Sequence, residues 1–105
     1  MLLCAHIDTS PGGTGWTRDP FGAEQSDGLI YGRGSVVSKS DIVCFIHAAA
    51  AAHLAAPFGT VLVAVTSDEG SGGDHGAAYL LNKMGLRPAL AIFPGFTDVI
   101  TVGHN

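Results

Sequence analysis

The sequence predicts an α/β fold, a mixed, mostly parallel sheet with flanking helices. Three observations predict it. Apolar, β-branched runs alternate with helical stretches in the order strand, helix, strand, helix, strand. The central helical stretch, residues 42–56, is apolar nearly all round and rich in alanine, which suits burial on more than one side and close approach to a sheet. No internal repeat, low-complexity linker or charge run divides the 105 residues, so they form one domain or part of one.

Residues 1–7 read as a buried strand, and residues 8–27 as a long loop rich in Gly, Pro, Thr and Asp. After the Asp27-Gly28 turn, residues 29–31 form a short strand. Ser38 starts a helix that runs to Ala55. Ser38-Lys39-Ser40-Asp41 fits a capping box, and Pro57 and Gly59 end the helix. Residues 60–67 are a second apolar, β-branched strand. Residues 76–84 form a short helix with Asp74 as its N-cap and Gly85 as its stop. Residues 89–93 and 99–102 are two further strands.

The net charge is −4, with 13% charged residues, and the five Lys and Arg are scattered. The absence of a basic patch argues against nucleic acid as the main partner. The apolar stretch 42–56 is shorter than the about 20 residues a membrane span needs. Cys4 and Cys44 sit in apolar contexts and are expected as reduced core thiols of a cytoplasmic protein.

The candidate chemistry begins at His6 and Asp8. Residues two apart on a strand share a face. A metal-binding imidazole commonly has its second nitrogen held by a carboxylate, so His6-Ile7-Asp8 suits a ligand with its orienter. The bland alternative is a surface His with a turn-forming Asp. Cys4 shares that face but lies about 6.6 Å further back along the strand, too far to join the same metal easily. Asp68 and Glu69 follow the strand 60–67 and otherwise read as a solvated turn. In open α/β sheets the site lies outside the carboxyl ends of the strands, so the two segments can converge. His47 and His53, inside the helix, read as structural histidines, and His75 as exposed; His104 has no assigned role. Arg33 suits anchoring of a loop through a carboxylate, and Trp16, Pro20 and Phe21 suit packing of the long loop.

Four motifs then occur in order: Ala5-His6-Ile7-Asp8-Thr9, Trp16-Thr17-Arg18-Asp19-Pro20-Phe21, Tyr31-Gly32-Arg33-Gly34-Ser35, and Thr66-Ser67-Asp68-Glu69-Gly70-Ser71-Gly72-Gly73. In order and spacing the chain resembles the co-catalytic zinc hydrolases that include aminoacylase-1, succinyl-diaminopimelate desuccinylase, acetylornithine deacetylase and carboxypeptidase G. That family reads roughly H-x-D-x-V-P, W-x-x-x-P-F, Y-G-R-G-A-x-D-M-K-G and T-x-D-E-E-x-G-G. The resemblance runs from about Leu2 to Asn105.

The resemblance implies a zinc-exopeptidase-like catalytic domain, truncated, with residues 1–105 as its N-terminal part. The dimerisation domain and C-terminal half would lie outside. A genuinely short protein is the alternative. It also implies a metal-dependent hydrolase of amide bonds, of peptidase, dipeptidase or N-acyl amino acid deacylase type. Its cofactor would be zinc in a two-metal site, with cobalt or manganese as substitutes. The substrate would be a small peptide or N-acyl amino acid, with no nucleic acid or membrane partner, and the full-length protein would be a homodimer. By motif, His6 is a metal ligand, Asp8 orients it, and Glu69 is the general base that moves the proton from water to the leaving amine.

Three positions depart from the pattern. Val37 stands where the family has its bridging Asp, and Gly70 where it has the second Glu of D-E-E. Pro94-Gly95-Phe96 stands where a later Glu ligand falls, with Asp98 the nearest acid. The family's last ligand, a His, lies beyond the chain. Asp41, four residues after Val37, reads either as a replacement metal ligand or as the capping-box acid at the helix start. The competing functional readings are a non-catalytic relative with a degenerate metal site and, more remotely, an unrelated α/β small-molecule binder. The latter lacks any G-x-G-x-x-G pattern.

Overall fold

The computed structural model describes residues 1–55 and 59–95. Its centre is a three-stranded parallel sheet. Strand β1 spans Leu2–His6 and lies in the middle. A hairpin of β2 (Glu24–Ser26) and β3 (Leu29–Tyr31) follows, then helix α1 (Lys39–Ala55). Strand β4 (Leu62–Thr66), helix α2 (Ala77–Asn82) and strand β5 (Ala91–Ile92) complete the order. The sheet order is β4-β1-β5, both pairings parallel, so the α/β architecture is as the sequence predicts.

The apolar run at the amino end becomes the core because it is the central strand. Leu2, Leu3, Cys4 and Ala5 are all buried, and Ile42 of α1 closes over them. Helix α1 packs on β1 and β4. Several of its other apolar side chains stay exposed: Val43, Ile46 and Leu54 face outward, the last at 85% exposure, while Phe45 is half-buried. Burial on more than one side is therefore corrected, since among the described residues α1 meets the sheet on one side only. Cys44 shares this fate. It is exposed, not a core thiol, whereas Cys4 is buried, and both are free.

The hairpin corrects the loop 8–27. Glu24, Gln25 and Ser26 pair antiparallel with Tyr31, Ile30 and Leu29. Asp27 and Gly28 both have positive φ, 54° and 77°, the conformation a two-residue type I′ turn requires. Arg18 stacks 3.8 Å from the centroid of Tyr31, pinning the long loop to this hairpin.

Two smaller expectations also change. The expected cap Asp74 makes no side-chain cap hydrogen bond, and Gly76 is the N-cap of α2. The strand expected at 99–102 lies outside the described residues, as do Asp98 and His104.

Candidate active site

Parallel pairing brings the carboxyl ends of β1 and β4 side by side. His6 is in register with Thr66, and the Ile7 N–H donates to Thr66 O at 2.8 Å. The loop after β1 and the loop after β4 therefore leave the sheet together, as the strand-end argument expects. A cleft of about 1120 Å³ opens there. Its wall carries His6, Asp8, Trp16, Arg33, Val37, Glu69, Gly70 and Gly95.

The end of β1 is held by α1. The His6 N–H donates to Ser38 Oγ at 2.8 Å. Ser38 is fully buried and sits in the left-handed region, φ 72°, one residue before the helix. Its own N–H donates to Asp41 Oδ2 at 3.1 Å. This is the second half of a capping box; the first half is replaced, because the hydroxyl serves β1 and not the helix.

His6 Nδ1 lies 3.1 Å from Asp8 O and 3.3 Å from Asp8 Oδ1. A proton on Nδ1 shared with Asp8 leaves Nε2 with the free lone pair. Asp8 Oδ2 accepts the Gly70 N–H at 3.4 Å, which ties the two loops together. Burial alone would raise the Asp8 carboxyl. The backbone N–H groups of Gly70, Glu69 and Asp8 itself, with the His6 imidazole, outweigh it and hold the carboxyl below its ordinary value.

The loop after β4 is organised by Asp68, in the left-handed region at φ 73°. Its carbonyl accepts the N–H groups of Ser71 and Gly73, and its Oδ2 accepts the His75 N–H at 3.0 Å. That hydrogen bond, the Ser71 side chain and the His75 charge hold the Asp68 carboxyl below its ordinary value. Glu69 follows on a single 3₁₀ turn, Glu69–Ser71, and is exposed on the cleft wall. Cys4 reaches the same cleft from behind; burial pushes its thiol up against a weaker opposing hydrogen bond with Thr66, so it remains a protonated core thiol.

The structure thus brings His6, Asp8 and Glu69 to one cleft and leaves Asp41 off its wall, at the helix start. Ser38 and the Gly70 N–H are the site components that sequence reasoning missed. His47, His53 and His75 are exposed, and none lines the cleft.

The profile of peptidase family M20/M25/M40 matches residues 2–101. The chain belongs to this family. It is 37% identical over 106 residues to the succinyl-diaminopimelate desuccinylase of Erythrobacter litoralis, covering 98% of this chain and 28% of that protein. It is 38% identical over 113 residues to the protein of the same name in Wolinella succinogenes, covering 98% and 30%. The Sphingopyxis alaskensis protein of that name is 40% identical over 102 residues, covering 97% and 25%. The chain spans less than a third of the length of these relatives. No solved structure matches it.

Kinship with peptidase family M20/M25/M40 implies a metal pair. Among the described residues, no group of three or more His, Cys, Asp or Glu side chains is placed to hold a metal ion. Val37, Gly70 and Gly95, which stand at expected ligand positions, all line the cleft and bring no donor side chain. The described residues do not fit a two-metal centre. No helix among them is long and apolar enough to cross a membrane.

Proposed function

We propose that the protein containing this chain hydrolyses the amide bond of a small N-acyl amino acid or peptide, and that residues 1–105 are the N-terminal part of its catalytic domain. One observation carries this reading: the His6–Asp8 pair and Glu69 line a single cleft at the carboxyl ends of two parallel strands, in a member of a peptidase family. The relatives' printed name makes an N-succinyl diamino acid the first substrate class to try.

Within this reading each residue has a defined task. Glu69 accepts a proton from the attacking water and delivers it to the departing amine. Asp8 fixes the His6 ring through Nδ1 and leaves Nε2 directed to the reaction. Ser38 holds the strand end that carries the imidazole. Asp41 belongs to the helix cap. Homodimerisation and a cytoplasmic setting go with the same reading, the latter supported by two free thiols.

A second reading, a non-catalytic relative, is favoured by the donorless positions Val37, Gly70 and Gly95. The two are separated by turnover. Incubation of the native-length protein with N-succinyl and N-acetyl amino acids and with dipeptides is expected to release free amine. Glu69→Gln is expected to abolish that release, by a factor of about 10² or more. No amine release from any of these substrates would establish the second reading.

A further inference from the structure

We infer that this cleft does not form the two-cation centre of its family, and that Val37 and Gly70 are the positions responsible. The inference rests on reading the cleft as the family's active site. A catalytic zinc takes about three protein ligands. A pair of dications about 3.5–4 Å apart also needs a shared anion, because their repulsion is about four times that of two unit charges at the same distance.

Every carboxylate near this cleft except Glu69 is held in place by hydrogen bonds to the protein itself. Asp8 spends Oδ1 on His6 and Oδ2 on the Gly70 N–H. Asp68 Oδ2 accepts the His75 N–H. Asp41 Oδ2 accepts the Ser38 N–H at the helix start, away from the cleft wall. Among the described residues no three His, Cys, Asp or Glu donors converge, and Glu69 with the His6 imidazole makes two, too few for one cation and far too few for two. Val37 presents methyl groups where a bridging carboxylate is required; they cannot replace the water a dication gives up.

The same geometry shows how to restore a site. A Cβ at Gly70 meets nothing nearer than Asp8 Oδ2 at 3.9 Å, so a side chain fits there and starts beside Asp8. Val37 is only half-buried, and Asp there loses little packing.

The experiment counts metal, not turnover. The native-length protein and its V37D/G70E variant are dialysed against zinc and desalted, and zinc per chain is measured by plasma mass spectrometry. The wild type is expected to retain less than one zinc, and the double variant to gain at least one. Two zinc ions per wild-type chain would overturn the inference. So would a folded double variant, judged by circular dichroism, that holds no more zinc than the wild type. If the double variant fails to fold, Gly70→Glu alone decides: a rise in zinc retention supports the inference and no rise overturns it. Turnover is scored separately, so loss of the hydrolase reading does not alter the metal count.

Discussion

The His6 N–H and Ser38 Oγ are joined at 2.8 Å although 32 residues of chain separate them. That bond fastens the carboxyl end of the central strand to the start of helix α1. It explains why Ser38 is fully buried and holds a left-handed φ of 72°. The conformation strains a non-glycine residue, and the strain is tolerated because hydroxyl and backbone N–H both find partners.

Ser38→Ala is expected to lower unfolding stability by about 1–3 kcal/mol, because the part-buried His6 N–H loses its acceptor and the fully buried Ser38 site loses its hydroxyl. Alanine and serine are similarly strained at positive φ, so the difference isolates the hydroxyl. Urea denaturation checks it. A change below about 0.5 kcal/mol would mean that the strand end holds itself without Ser38.

Asp41→Ala is expected to cost about 0.5–2 kcal/mol, the usual loss when an N-terminal capping partner is removed. Asp41→Asn keeps an acceptor for the Ser38 N–H and should retain most of the stability. Neither substitution should change the zinc retained after dialysis. A drop in zinc with Asp41→Asn would instead place Asp41 among the metal ligands.

Much of this arrangement was legible in the sequence, for identifiable reasons. The spacing of His6 and Asp8 put them on one face, and the strand-end argument put Asp68 and Glu69 opposite them. The capping-box pattern located the start of α1 to the residue. Strand β2 was not legible because Glu24, Gln25 and Ser26 carry no apolar alternation; only the Asp27-Gly28 turn betrayed a hairpin. The exposure of Cys44, Ile46 and Leu54 was not legible either, because an apolar helix surface does not state what covers it. The Ser38–His6 bond has no local signature at all, since it depends on how α1 docks against β1.

Acid should loosen the site before it unfolds the rest. The carboxyls of Asp8 and Asp68 sit below their ordinary value of 3.8 in the folded chain. The unfolded state therefore takes up these protons first as pH falls. Their stabilising contribution is complete above pH 3.8 and is lost as pH drops through the lower folded values. Unfolding free energy measured across this range is expected to fall more steeply for the wild type than for Asp68→Asn. Equal slopes would show that the His75 and Ser71 hydrogen bonds to Asp68 do not form in solution.

Gly70, inside the Glu69 turn, and Gly76, at the start of α2, should respond oppositely to the same change. Gly76 is buried, and a Cβ there would collide with the Ser67 carbonyl, a backbone atom that cannot swing aside. Gly76→Ala must push α2 off the end of β4 and is expected to cost about 1–3 kcal/mol. A Cβ at Gly70 would meet only Asp8 Oδ2, at an ordinary contact distance of 3.9 Å, and its φ is not positive, so Gly70→Ala should stay within about 0.5 kcal/mol of the wild type. Thermal or urea unfolding of the two variants checks the contrast. A tolerated Gly76→Ala would mean that the loop presenting Glu69 is not held against the strand end, and the cleft geometry would have to be redrawn from that loop outward.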